Sequence, residues 1–298
     1  MDWVPKEVEL ATADGDVLGA DYYEHPNAKA LAVICHGLEG HSRRPYILGM
    51  AKALLDNEFS VLAWNYRSCD GKMNGTPLFY HSGATYDLKA VLNQLPGNPE
   101  WPIYLVGFSL GGNLVLRYLG EEGEQLPARL VGAAAISVPL MLSDGADYLM
   151  KGISKLYTRN FLKSLKRKVA AKDKKFPGLY RMQWLDKVQT LREFDEHFTA
   201  PIHGYQNAAD YYDKASAGFV LEKIARPVLL LQAYNDPFLP QSCFPEPKNE
   251  LIDKCYTQKG GHVGFLQCRK ERTFAEEQVL HFWEKLCITC SNHSAETS

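Results

Sequence analysis

The 298-residue chain has no excess of either charge. Its 33 Lys and Arg stand against 35 Asp and Glu, for a net charge of −2. No global basic field points to nucleic acid as a partner. It has no apolar run of about 18 residues, so no membrane-spanning helix is expected. The first residues, MDWVPK, contain no apolar h-region, so no secretory signal is expected either. Nor is there a cysteine framework. The seven cysteines are odd in number and scattered, which fits a reduced, cytoplasmic protein. Cys287 and Cys290 form a C-x-x-C, but no second Cys or His pair at zinc-like spacing accompanies it. They read as plain thiols, with no metal implied. Repeats and low-complexity segments are missing as well, which leaves an ordinary globular composition.

What is present is a rhythm. Residues 7–23 alternate around Ala13-Asp14-Gly15-Asp16, which reads as a β-hairpin. Apolar strands are expected at 30–35, 60–64, 103–108 and 130–138, with helices at 45–57, 85–95 and 113–119 between and after them. Strand and helix in alternation imply a mostly parallel sheet flanked by helices, an α/β fold. The rhythm stops at about Leu142. Residues 143–218 read as helical and charged, and the pattern resumes with strands at 226–233 and 253–257 and a helix at 273–286. An interruption of about 75 residues is too long for an ordinary loop. It reads as a helical cap or lid inserted before the penultimate strand. The core is then 1–142 with 219–298.

Gly107-Phe108-Ser109-Leu110-Gly111 follows the strand Ile103-Tyr104-Leu105-Val106 and opens a helix. A serine flanked by glycines at i−2 and i+2 on a strand-to-helix turn is the nucleophile-elbow pattern. The pattern alone is weak, since Gly and Ser are common. Two further residues strengthen it. Asp236 follows the strand at 226–233, in Tyr234-Asn235-Asp236-Pro237. His262 follows the last strand, in Gly260-Gly261-His262-Val263-Gly264. Both fall at the carboxyl edge of the sheet, where such folds place their sites. The order Ser109, Asp236, His262 is that of a serine nucleophile, its orienting acid and its base. Asp144 or Asp147, after the strand at 130–138, is a rival for the acid. Two backbone N–H groups are expected to hold the oxyanion. One belongs to Leu110, after the nucleophile. The other belongs to Leu38 in the loop His36-Gly37-Leu38-Glu39-Gly40.

These segments resemble the YheT-like branch of the AB-hydrolases. The likeness is carried by His36 to Gly40, Pro45-Tyr46, Asn65 to Cys69, Tyr80-His81-Ser82-Gly83 and Gly107 to Asn113. It continues through His203-Gly204-Tyr205, Asp236-Pro237-Phe238 and Gly260 to Phe265. The resemblance runs over nearly the whole chain and looks closest to the bacterial, cytosolic members, so no N-terminal membrane anchor is expected. It implies an α/β-hydrolase fold and a serine esterase acting on carboxylic esters. It carries the catalytic roles onto Ser109, Asp236 and His262. One departure is visible: the family commonly has Arg-Gly-Cys where this chain has Arg67-Ser68-Cys69.

The expected chemistry is acyl transfer to water through an acyl-enzyme, on a small-molecule ester, without cofactor or metal. Transfer to another acceptor would use the same residues. Arg67 reads as an internal salt bridge rather than a substrate contact, and Cys69 lacks a base that would make it a nucleophile. Lys151 to Lys175 is rich in Lys and Arg. Ile153, Leu156, Tyr157, Phe161, Leu165 and Val169 are spaced along it as on one helix face. That face is expected to dock the cap on the core. The alternative is a basic amphipathic helix on an anionic membrane, serving a lipid-directed hydrolase.

Overall fold

The computed structural model describes residues 3–296, with side chains described through residue 286. Cys287 and Cys290 lie outside the described side chains. The strands are β1 (Lys6–Ala11), β2 (Val17–Tyr23), β3 (Ala30–Cys35), β4 (Phe59–Trp64), β5 (Ile103–Phe108), β6 (Leu130–Ile136), β7 (Val228–Ala233) and β8 (Ile252–Thr257). They form one sheet in the order β1-β2-β4-β3-β5-β6-β7-β8. β1 and β2 join antiparallel, and β2 meets β4 antiparallel. Every pairing from β4 through β8 is parallel.

The helices of the sheet are α1 (Pro45–Leu55), α2 (Thr85–Leu92) and α3 (Leu110–Glu122). Between β6 and β7 come α4 (Leu142–Tyr148), α5 (Ser154–Lys175), α6 (Leu191–Phe194), α7 (Ala200–Ile202) and α8 (Ala208–Ala215). The last helix is α9 (Phe274–Glu296). Helix α9 is longer than its apolar pattern indicated, while β6 stops two residues short of the expected end. No strand occurs in 143–218 among the described residues.

Every residue of β3, β5 and β7 is buried. That is the signature of strands covered on both faces. Successive side chains serve opposite layers. Leu31, Val33 and Cys35 of β3 pack with Leu88 of α2 and Leu114 of α3. Ala32 and Ile34 pack with Met50 of α1 and Val279 of α9. The helical segment has small cores of its own. One gathers Leu162, Val169, Phe194 and Phe198 and reaches the sheet domain through Phe79. A second holds Leu142, Ala200, Tyr211 and Tyr212.

The packing corrects the expected apolar face of the long helix. Leu162 and Val169 are buried, and Phe161 and Leu165 are half-buried, but Ile153, Leu156 and Tyr157 are exposed. The inward stripe at this end is made instead by Ser154 and Thr158. Their hydroxyls donate to backbone carbonyls, Ser154 to Pro237 at 2.6 Å and Thr158 to Leu149 at 3.0 Å. Satisfied hydroxyls are as compatible with burial as methyl groups, and hydrophobic spacing alone does not reveal them.

β3 pairs with β4 on one side and β5 on the other. The connections therefore run in opposite directions from this point, and the loops after β3 and β5 open a crevice at the carboxyl edge.

Candidate active site

The turn from β5 to α3 is tight. A Cβ on Gly107 would stand 2.4 Å from the Gly111 carbonyl oxygen, and one on Gly111 would stand 2.3 Å from the Cys35 carbonyl oxygen. Only glycine fits at either place. Between them Ser109 has φ +54 and ψ −119. That is a strained backbone for a residue with a side chain, and such strain persists where surrounding contacts over-determine it. The Ser109 N–H is anchored on the Ile136 carbonyl at 2.8 Å. Its side chain caps no helical N–H, which leaves the hydroxyl free for another partner.

That partner is His262. With the ring proton on Nδ1, Nε2 accepts the Ser109 hydroxyl at 3.0 Å and Nδ1 donates to Asp236 Oδ2 at 2.8 Å. Asp236 is buried, and its other oxygen accepts the Phe238 N–H at 2.8 Å. Two neighbours fix the histidine loop. Asn235 Oδ1 accepts the Gly260 and Gly261 N–H groups at 2.9 and 3.0 Å. Ser137 Oγ accepts the Val263 N–H at 3.0 Å. The Phe238 ring lies 4.3 Å from the imidazole. The rival acids lie elsewhere: Asp147 pairs with Arg192 at 2.8 Å, and Asp144 has no hydrogen bond to the imidazole.

Leu38 and Leu110 both line the cavity beside Ser109, and a Cβ on Gly37 would meet the Ser109 Cβ at 3.3 Å. Around Leu38 the neighbouring N–H groups are taken. Tyr46 OH accepts from Gly37 at 3.0 Å, and Tyr80 OH accepts from Glu39 at 2.9 Å. The Leu38 and Leu110 N–H groups have no hydrogen bond among those of the described residues. Glu39 is held again from the far side. Its carboxylate accepts from Tyr80 OH at 2.6 Å and from Lys168 of α5 at 2.7 Å. Burial opposes the charge on Lys168, but Cys69 and Glu39 beside it keep its pKa above the ordinary lysine value.

The strand ends and the helical segment enclose a cavity of about 570 Å³. Its lining is mostly apolar, with Phe79, Leu142, Leu149, Phe161 and Phe238 near the serine and histidine. Asp195 also lines it. Burial pushes that carboxyl up to about 6, against hydrogen bonds from Thr199 and Tyr212. His81 lines it too, and burial holds its pKa well below the ordinary value. Burial likewise takes His36, behind Leu38, down to about 3, while its Nδ1–H donates to the Gly37 carbonyl at 2.7 Å.

Arg67 does not face the cavity. It is buried and bonded to Asp87, Asp14 and Asp16 at 2.6 to 2.9 Å. Next to it Ser68 takes φ +60, the conformation that suits glycine. Its hydroxyl holds the turn by accepting the Asn74 N–H at 3.1 Å. Burial pushes the Cys69 thiol up to about 12, which keeps it protonated near neutral pH. Tyr46, Tyr80, Glu39, Lys168, Asn235 and Ser137 were not singled out as site residues by sequence reasoning. Only their long-range contacts give them a place here. Glu39, Tyr46 and Tyr80 fell within segments of the family resemblance, without any role attached.

The family described as alpha/beta hydrolase fold matches residues 32–267. YheT of Escherichia coli (strain K12) is 35% identical over 272 residues, covering 89% of this chain and 79% of that protein. Monoacylglycerol lipase of Saccharomyces cerevisiae is 30% identical over 276 residues, covering 86% of this chain. The match spans 59% of the yeast protein's length. Among solved structures, an esterase of Pyrococcus furiosus superposes with a TM-score of 0.63 at 19% identity, covering 96% of this chain and 92% of that one.

Proposed function

Because this chain belongs to the alpha/beta hydrolase family, we propose that it is a serine hydrolase of carboxylic esters with an apolar acyl chain. The observation that carries this reading is the hydrogen-bonded series Asp236–His262–Ser109 opening into an apolar cavity. His262 Nε2 takes the hydroxyl proton as Ser109 Oγ attacks the acyl carbonyl. Asp236 keeps the ring in the Nδ1–H tautomer and stabilises the imidazolium. The carbonyl oxygen becomes an oxyanion held by the Leu38 and Leu110 N–H groups, which no other acceptor among the described residues occupies. Each such donor contributes about 2.7–4 kcal/mol to the rate. The imidazolium then protonates the departing alcohol, leaving Ser109 acylated. Water, deprotonated by the same imidazole, attacks the acyl-enzyme and releases the acid and the free serine.

A cavity of this size falls within the range of about 300–1,000 Å³ typical of small organic ligands, and its apolar wall suits a hydrocarbon chain. The names of the Saccharomyces cerevisiae and Escherichia coli relatives, a lipase and an esterase, point to ester chemistry. We also assign the protein to the cytoplasm. Cys35, Cys69, Cys243, Cys255 and Cys268 are all free thiols, as expected of a reducing compartment. Among the described residues no helix is long and apolar enough to cross a membrane.

The test is turnover of p-nitrophenyl esters of increasing acyl length by the wild type and by Ser109→Ala. We expect the variant to lose about 10⁴-fold or more in kcat. We also expect the wild type to prefer chains longer than acetyl. Full activity in the variant would end this reading.

A further inference from the structure

The long helix α5 presents two different sides. One is locked to the rest of the molecule. Lys168 meets Glu39, Lys172 donates to the Thr76 carbonyl, and Lys175 donates to the Asn74 carbonyl. The other side carries Lys155, Arg159, Lys163, Lys166 and Arg167. None of these five has a side-chain hydrogen bond or ion pair among the described residues. Four of them, all but Arg167, line a groove against residues 188–193. The acid in that groove, Glu193, is engaged by the Gln189 and Thr190 N–H groups. Among the described residues, then, none of the five cations is paired directly with an acid, although Glu193 leaves one carboxylate in the groove.

At the N-terminal end of this helix lie the apolar side chains that the sequence pattern assigned to the inside. Ile153 is 64% exposed, Leu156 58% and Tyr157 47%. Of the three, Tyr157 reaches toward the candidate site. The Tyr157 ring is 5.0 Å from Phe238, and Phe238 is 4.3 Å from His262. Phe161, one turn further on, lines the cavity itself. Exposed apolar residues beside a row of unpaired cations match the two halves of a lipid interface, acyl boundary and anionic headgroup.

We propose that this face of α5 docks the protein on an anionic lipid surface, so that an ester in the lipid passes by Tyr157 and Phe238 into the cavity. Charge alone would equally suit a nucleic acid. The exposed Ile153 and Leu156 favour lipid, because a phosphate backbone gives isolated aliphatic side chains nothing to bury against. The purpose assigned to docking rests on the ester-hydrolase reading. The binding itself does not.

The experiment therefore measures binding without turnover. Ser109→Ala protein is sedimented with vesicles of phosphatidylcholine, and with vesicles of phosphatidylcholine and phosphatidylglycerol, at rising salt. We expect binding to the anionic vesicles that weakens with salt and little binding to the neutral ones. Neutralising Lys155, Arg159 and Lys163 to Gln should reduce partition about a hundredfold, at about fivefold per charge. Ile153→Ser with Leu156→Ser should reduce it more than tenfold. With Ser109 restored, both variants should keep wild-type turnover of a short soluble ester, which certifies their fold and site. The proposal is overturned if the anionic vesicles are not preferred, or if folded variants bind like the parent. It is also overturned if a single-stranded oligonucleotide binds as tightly and the Ile153/Leu156 variant does not weaken the vesicle interaction. Vesicle binding without any esterase activity would instead sink the hydrolase reading and leave the docking face standing.

Discussion

The two walls of the cavity are built on different principles. The wall formed by the strand ends is over-determined. Ser109 is pinned between two glycines whose surroundings admit no Cβ, and its N–H is tied to β6. The histidine and aspartate loops are cross-linked by Asn235 and Ser137. The wall formed by the helical segment owes its place to contacts far apart in sequence. Asn113 bonds to the Ala215 carbonyl at 2.8 Å, Ser154 to Pro237, and Lys168 to Glu39. Its own cores are small. The first wall can fix reacting atoms because it cannot relax. The second is held by side-chain bonds and small apolar clusters that reach across from distant segments, with no strand of the sheet in it among the described residues.

The contrast is broken most severely at the first wall. Replacing His262 with Ala removes the proposed base without touching the sheet. We expect kcat to fall about 10⁴-fold or more, with a denaturation midpoint close to wild type. A variant within tenfold of wild type would show that the base lies elsewhere. Next in size is Gly111→Ala. The added methyl meets the Cys35 carbonyl at 2.3 Å, and rigid backbone on both sides predicts a loss of about 3 kcal/mol in urea denaturation. A loss below about 1 kcal/mol would mean the elbow yields more easily than argued.

Acid should also weaken the first wall. The folded pKa of His36 lies near 3, below the ordinary 6.5, because burial disfavours its charge. The unfolded chain therefore binds a proton that the folded one refuses. Stability from this group is full above pH 6.5 and falls as pH drops toward 3. By pH 5 the loss is about 2 kcal/mol, with His81 and His203 adding in the same direction because their values are lowered too. Urea midpoints at pH 7 and pH 5 check this, and an unchanged or higher midpoint at pH 5 would contradict it. The smallest effect belongs to the seam between the walls. Lys168→Met leaves Glu39 without its ammonium partner and loosens the segment that carries the Leu38 N–H. We expect kcat to fall about tenfold, about 1.4 kcal/mol of transition-state stabilisation, with a smaller change in KM. A change confined to KM would place Lys168 in substrate binding instead.

The same contrast explains what could be read before the structure. Strands β3 and β5 were legible to the residue because parallel strands covered on both faces are unbroken apolar runs. That Ser109, Asp236 and His262 come together at one edge of the sheet was legible because each follows a strand in a turn of recognisable chemistry. The helical segment was legible only as helical. Helix α5 turns its Ser154 and Thr158 side inward through hydroxyl-to-carbonyl bonds, while Ile153 and Leu156 stay outside. An apolar-spacing rule cannot foresee that choice. Glu39 and Lys168 lie in segments with no shared local pattern, and only the folded chain brings them to 2.7 Å.

Ser109 itself can be interrogated directly with a fluorophosphonate reagent, which bonds covalently to an activated serine. The adduct is located by mass spectrometry of the digested protein. The account predicts one rapid adduct on Ser109, lost in Ser109→Ala and strongly slowed in His262→Ala. An adduct on another residue, or undiminished labelling of either variant, would contradict it.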